Sequence, residues 1–159
     1  MKIIVLSDSH RDFHVLYDTF NRHIDANLFI FLGDGMEELE DMESIFFQKE
    51  IWSVSGNCDY FSSKDTLGLK TAEGVRVLFT HGHLWGVKNG LEKLRQQAEG
   101  VQANLVLFGH THLPFYQVID GIHYFNPGSI SAPRDGHPPT YGQIILQDGQ
   151  VVSCQHMEV

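Results

Sequence analysis

Residues 3–10, Ile3-Ile4-Val5-Leu6-Ser7-Asp8-Ser9-His10, decide the reading of the fold. Four consecutive apolar residues suit a strand buried on both faces, and they stop abruptly at an acid and an imidazole. The same pattern returns four times along the chain. Leu28-Phe29-Ile30-Phe31-Leu32 runs into Gly33-Asp34, and Ile51-Trp52-Ser53-Val54 into Ser55-Gly56-Asn57. Val75-Arg76-Val77-Leu78-Phe79 runs into Thr80-His81-Gly82-His83, and Leu105-Val106-Leu107-Phe108 into Gly109-His110-Thr111-His112. Ligands of open α/β sheets bind beyond the carboxyl ends of the strands, so five such sets are expected to converge on one edge.

Between the first two runs, Phe13, Leu16, Tyr17, Phe20 and Ile24 recur at spacings of three and four, the stripe of an amphipathic helix. Residues 36–47 and 88–99 are read as two further helices. The first third therefore alternates strand and helix, as a mainly parallel sheet requires. Glu73-Gly74, Asp120-Gly121 and Asp148-Gly149 are hairpin dipeptides between short apolar or alternating stretches, so the later part is expected to turn antiparallel. The expectation is an α/β chain.

A length of 159 residues suffices for one core and is short for two, so residues 1–159 are expected to form a single domain. The 42% hydrophobic content is ordinary for a globular protein. The formal charge of -9 disfavours a long nucleic acid or an anionic membrane as partner, although Lys88, Lys93 and Arg95 could form a local patch. Cys58 and Cys154 form no CxxC and imply neither a disulfide framework nor a zinc knuckle. The N-terminal apolar run is too short for a secretory signal, and no segment has the length of a membrane span. A cytoplasmic location is the expectation.

Taken singly, each strand-end motif reads as an ordinary turn. An Asp-x-His accommodates a hydrogen-bonded imidazole, Gly33-Asp34 is a common turn, and Asn57 tolerates a left-handed conformation. Together they are hard to explain as turns, because Asp8, His10, Asp34, Asn57, His81, His110 and His112 all follow buried strands in one small chain. Asp8 with His10, and His110 with His112, are spaced i, i+2; persistent strand geometry would send each pair to one side. His14, His23, His123, His137 and His156 lack that context and are read as surface or core residues. Seven nitrogen and oxygen donors without a thiolate argue against structural zinc and iron–sulfur clusters. They exceed the needs of one ion. Two divalent ions of borderline hardness sharing a carboxylate would use them all, an apparatus of phosphoester hydrolysis and of some aminopeptidases.

In this order the motifs Asp8-x-His10, Gly33-Asp34, Gly56-Asn57, His81-Gly82-His83 and Gly109-His110-Thr111-His112 resemble the signature of the calcineurin-like metallophosphoesterases. Gly56-Asn57-Cys58-Asp59, Thr80-His81-Gly82-His83, Phe125-Asn126-Pro127-Gly128-Ser129 and Pro133-Arg134 are similar to the small YfcE-type phosphodiesterase branch in particular. The resemblance spans residues 3 to about 134. It implies a β-sandwich of two mixed sheets flanked by helices, a four-layer fold with a dinuclear centre at one end. It also implies that Asp8, His10 and His112 hold the first ion, that Asp34 bridges, and that Asn57, His81 and His110 hold the second. Mn2+ is the first expectation for the metal, with Ni2+, Zn2+ or Fe2+ as alternatives.

The implied reaction is hydrolysis of a small phosphodiester by a metal-bound hydroxide attacking in line, with Arg134 and Asn57 as candidate phosphate contacts. Relatives with His directly after the Asn can protonate the leaving group there; this chain has Cys58, a poor acid, so either His83 or another group substitutes, or the substrates have good leaving groups. Cys58 itself is read as a small apolar filler. Glu37 stands where the wider pattern has a second Asp, which touches only local orientation. The rival readings are a non-catalytic scaffold on the same fold, as in the retromer subunit of this family, and a phosphomonoesterase or nuclease. A homodimer or larger assembly is expected by analogy alone. Two dications would outweigh Asp8 and Asp34, so the site attracts phosphate although the chain as a whole is acidic.

Overall fold

A computed structural model describes residues 1–159. Two mixed five-stranded sheets face each other. In the first, β1 (Lys2–Leu6) pairs in parallel with β2 (Leu28–Phe31), and β2 with β3 (Glu50–Ser53). β9 (Thr140–Gln147) runs antiparallel to β1 on its other side, with β10 (Gln150–Glu158) antiparallel beyond it. In the second, β4 (Leu67–Ala72) is antiparallel to β5 (Val75–Thr80), which runs parallel to β6 (Leu105–Phe108). β8 (Ile122–Pro127) continues that parallel set, and β7 (Pro114–Ile119) closes the edge antiparallel to it.

The continuous apolar runs follow from double burial. Ile3, Val5, Leu28 and Ile30 point between the sheets, toward Val77, Phe79, Leu105, Leu107 and Phe125. Their neighbours Ile4, Leu6, Phe29 and Phe31 point outward, onto Leu16 and Phe20 of α1 (Phe13–Arg22) and Leu39 and Met42 of α2 (Met36–Ile45). On the far side Leu78, Val106 and Phe108 are covered by Val87 and by Leu94 and Ala98 of α3 (Glu92–Gly100). The result is four layers, helix, sheet, sheet, helix. Each such side chain contributes roughly 1.5–3 kcal/mol by leaving water, so a one-residue register slip in β1 or β2 would be costly on both faces.

The three hairpin dipeptides lie where the sequence places them, and each has positive φ at both positions: Glu73 47° and Gly74 78°, Asp120 50° and Gly121 80°, Asp148 52° and Gly149 75°. That is the primed-turn geometry which matches strand twist. Two expectations need correction. The third helix begins at Glu92 rather than residue 88, because Gly90 at φ 131° separates a 3-10 turn over Val87–Asn89 from α3. The later part is also not wholly antiparallel, since β8 returns parallel to β6. No helix is long and apolar enough to cross a membrane.

Candidate metal centre

The loops after β1, β2, β3, β5 and β6 meet at one end of the sandwich. The Asp8 amide donates to the Gly33 carbonyl at 3.0 Å and that of His10 to the Asp34 carbonyl at 3.0 Å, joining the first two loops. The Gly109 amide donates to the His81 carbonyl at 3.0 Å, joining the last two. Across the seam, His81 Nδ1 donates to the Leu32 carbonyl at 2.7 Å. Gly56 and Gly109 are required by close approach. A Cβ at Gly56 would lie 2.1 Å from Asp34 Oδ1, and one at Gly109 2.1 Å from Ser7 Oγ.

All seven residues singled out in the sequence belong to one connected cluster. His10 and His112 face each other with Nε2 atoms 3.1 Å apart, and the buried Asp8 Oδ1 lies 3.1 Å from His112 Nε2 and 3.8 Å from His10 Nε2. His81 Nε2 is 3.5 Å from Asp34 Oδ2, 4.0 Å from Asp8 Oδ1, 3.2 Å from Asn57 Oδ1 and 3.2 Å from His110 Nδ1. Asp8, His10 and His112 form one set of potential metal ligands and Asp8, Asp34 and His81 another; Cys58 stands with His10 and Asp34 in a third.

The route to this arrangement differs from strand alternation. Asp8, His10, Asp34, His110 and His112 all have left-handed backbones, with φ between 43° and 67°. The chain turns at each of them, and only one of the two i, i+2 pairs shares a side: Asp8 and His10 stand together with His112, whereas His110 turns away to meet His81. Left-handed conformations of residues other than glycine concentrate at functional sites, where the surroundings hold them against their cost.

The donor chemistry fits a divalent metal. A carbonyl only accepts, so the Nδ1 atoms of His81 and His112, at 2.7 Å from Leu32 O and 2.6 Å from Ala132 O, must carry the protons. Their Nε2 lone pairs are thereby aimed into the cluster, the usual second support of a metal-binding imidazole. Asp8 Oδ2 accepts from Ser7 Oγ and the His110 amide, yet Oδ1 is buried without any hydrogen-bond partner. A buried carboxylate oxygen left over among imidazole nitrogens is suited to a cation.

The electrostatics agree. Burial alone would raise the Asp34 pKa, but its contact with His81 and the Cys58 amide at 2.8 Å hold it well below the carboxylate range. At His81 the opposition of burial is overcome by Asp34 and Asp8, and at His112 the adjacent Asp8 carboxylate dominates; both imidazoles are raised. His110 instead falls to about 4, through burial and the charges of His81 and Lys88. The carboxylates attract protons at His81 and His112 as they would attract a dication.

The remaining candidates are placed differently. His83 sits in a 3-10 turn over His83–Trp85, its ring centroid 5.4 Å from His81 and 6.1 Å from His110, with a buried Nδ1 that has no partner. Arg134 makes none of the contacts that join the seven; it is exposed on the rim of a neighbouring cavity. Cys58 is not an apolar filler. It is exposed beside Asn57, whose Nδ2 donates to Sγ at 3.3 Å, and burial of the sulfur with the nearby Asp34 pushes the thiol up to about 11. Arg95 is engaged with Asp120 at 2.7 Å, so it is not a free member of a basic patch.

Sequence reasoning missed the supports. Asp59 has the largest role: its carboxylate accepts from the amides of Asp34 and Gly56 at 2.7 Å each, Gly35 at 2.9 Å and Met36 at 3.0 Å. It thereby fixes the Asp34 loop and caps α2, whose own N-cap Gly35 has no side chain for that task. Orientation of the second loop thus falls to Asp59, while Glu37 is exposed and Glu38 beside it is buried, accepting from Ser9 Oγ at 3.0 Å and the Arg11 amide. Ser129 Oγ donates to the Asp8 carbonyl at 2.7 Å, Ser131 Oγ to that of Ser9 at 2.7 Å, and Asn126 Nδ2 to Gly109 O at 2.9 Å. The Asn126-Pro127-Gly128-Ser129 motif is a brace for the first and last loops.

The calcineurin-like phosphoesterase superfamily domain matches residues 1–149. The chain is 35% identical over 150 residues to YsnB of Bacillus subtilis (strain 168), named a probable metallophosphoesterase, a match covering 93% of this chain and 86% of YsnB. It is 38% identical over 114 residues to the phosphodiesterase YfcE of Escherichia coli (strain K12), covering 65% of this chain and 55% of YfcE. A crystal structure from Streptococcus pneumoniae TIGR4, described as a predicted phosphoesterase, aligns with a TM-score of 0.86 at 27% identity, over 99% of this chain and 88% of that one.

Proposed function

This chain belongs to the calcineurin-like phosphoesterase superfamily, and on that premise we propose that it is a metal-dependent phosphodiesterase acting on a small diester through two divalent ions. Residues 1–159 act as one catalytic domain in this reading. The observation that carries it is the buried, unpartnered Asp8 Oδ1 among imidazole nitrogens whose partners aim them inward. Asp8, His10 and His112 would hold one ion, Asn57, His81 and His110 the other, with Asp34 shared. Such ions supply Lewis acidity, polarising a phosphoryl oxygen and bringing the pKa of a water down toward roughly 7.

The chain's own groups do the rest. Asp34 is held in one orientation by the Cys58 amide and, through its own amide, by Asp59, so the shared carboxylate does not have to be ordered when substrate arrives. Asn57, exposed at the mouth, offers its amide to a phosphoryl oxygen. His83 is the one further imidazole beside the cluster and is assigned to the proton on the leaving oxygen, since the Cys58 thiol at about 11 is a weak acid. Arg134 guides the anion from the rim.

The test is reconstitution. Metal-stripped protein is assayed on bis(p-nitrophenyl) phosphate and on p-nitrophenyl phosphate, with Mn2+, Ni2+, Zn2+ or Mg2+ returned separately. Diester hydrolysis restored by Mn2+, and abolished by Asp34→Asn without loss of fold, is the expected result. Failure of every ion to restore either activity, or full activity of Asp34→Asn, overturns the proposal in favour of a scaffold.

A further inference from the structure

We propose that the cavity beside the centre seats the organic group of the ester that is not cleaved, and that this group carries an aromatic ring. The inference rests on the phosphodiesterase reading and names the substrate class for it. The cavity measures about 610 Å³, within the range of small-molecule sites and far larger than a phosphoryl group needs. Its wall is apolar and partly aromatic: Val87, Leu91, Phe108 and Phe115, the two phenyl rings tilted at 56° with centroids 5.9 Å apart. A flat ring gains there both buried area and edge or offset contact with the phenyl groups.

The cavity is joined to the centre by covalent neighbours. Thr111, on its lining, stands between His110 and His112 in the chain. Its polar side carries Lys88, Arg134 and His137 with a single acid, Asp135. A diester phosphate at the centre would therefore lie toward the cationic rim, with one ester group directed onto the apolar wall. The other large cavity, about 370 Å³, cannot fill this role as well. It opens over His10, Asp34 and Cys58, and its one cation, Arg11, is outnumbered by Glu37, Glu38, Glu40 and Asp59, which repel an anionic substrate.

Two diesters with one leaving group isolate the effect: phenyl p-nitrophenyl phosphate and ethyl p-nitrophenyl phosphate, assayed on the Mn2+-loaded enzyme. The expected kcat/KM ratio is about tenfold in favour of the phenyl ester, carried by KM, because a buried ring adds binding energy away from the reacting atoms. Phe115→Ala should lower the ratio at least threefold. A second measurement does not need turnover: diphenyl phosphate added to metal-free, isotope-labelled protein should shift the amides of Val87, Lys88, Leu91 and Phe115, and diethyl phosphate should not. A ratio near one, or diphenyl phosphate shifts confined to Tyr60 and Phe61 by the acidic cavity, overturns the assignment while leaving phosphodiester hydrolysis standing. Hydrolysis of neither ester, with the amide shifts intact, would instead count against the phosphodiesterase reading.

Discussion

Asp59 should be the residue outside the ligand set on which the centre depends most. Asp59→Ala removes the acceptor of four backbone N–H groups, at 2.7, 2.7, 2.9 and 3.0 Å. A hydrogen bond to a charged acceptor contributes about 1.5–3 kcal/mol, but Asp59 is half-buried and water will reach part of the vacated space. The expected loss is therefore roughly 2–4 kcal/mol rather than the sum of four. For a chain of this size that lowers the melting midpoint by roughly 5–15 °C. Asp59→Asn keeps the shape and one accepting oxygen, so it should fall between wild type and Ala. Because two of the four donors are the Asp34 and Gly35 amides, the Asp34 carboxylate loses its orientation, and on the proposed reading Mn2+ affinity should drop about 10–100-fold, as when the partner of a metal ligand is removed. Thermal unfolding of the metal-free protein and calorimetric titration with Mn2+ read the two effects. An Ala variant with its midpoint within about 2 °C of wild type and unchanged Mn2+ affinity would refute the bracing role.

Three further outcomes are expected. Saturation with Mn2+ at about a hundredfold over its Kd should add roughly 2.7 kcal/mol and raise the midpoint by several degrees, reversibly with chelator; no shift with any divalent ion would remove the ligand reading. Gly109→Ala places a methyl group 2.1 Å from Ser7 Oγ and 3.0 Å from Asp8 Oδ2, so it should cost about 1–3 kcal/mol in thermal unfolding and weaken Mn2+ binding; wild-type behaviour on both counts would show that the loop has slack. His23, buried against the Tyr141 hydroxyl at 2.8 Å, has its pKa lowered from 6.5, chiefly by burial. The unfolded chain then binds the proton more readily, so this contribution is complete above about 6.5 and declines as pH falls below it. The His23 ring signal in proton NMR should titrate below 6.5, and a midpoint above that value would reverse the sign.

The fold was legible where burial leaves no choice. β1, β2 and β6 are covered on both faces, so nearly every residue is apolar and the run announces itself. β4 and β7 are edge strands with Leu69, Lys70 and Thr71 or Tyr116, Gln117 and Val118 exposed, and their mixed composition gives no period to read. The hairpin dipeptides were legible because each turn needs positive φ at two positions. The residues that cluster at the strand ends were legible by type and by their place, yet their directions were not. Asp and His carry no mark of a left-handed backbone, so strand alternation gave the wrong pairing for His110 and His112. Asp59 escaped because its partners are backbone amides, and amides are the same whatever the sequence around them.

That misreading of direction explains how the centre is built. Each sheet contributes residues to both halves of the cluster: His10 from the β1 loop meets His112 from the β6 loop, and Asp34 from the β2 loop meets His81 from the β5 loop. Strand alternation would have kept His110 and His112 on one side of their strand. Turning the chain through left-handed positions at Asp8, His10, Asp34, His110 and His112 sends them across the seam instead, at a cost of order 1 kcal/mol for each strained residue. The cost is sustained by braces that cross the same seam, namely His81 Nδ1 on Leu32 O and Ser129 on Asp8 O, with Asn126 on Gly109 tying the last loop to its own sheet. The geometry of the cluster is thus set by the packing of one sheet on the other, and the apolar core between β1, β2, β5 and β6 is part of the candidate metal centre in an energetic sense. Cavity-forming changes at Val5 or Phe79 act on the centre without touching a ligand, because they loosen the contact that holds the two halves at their working distance.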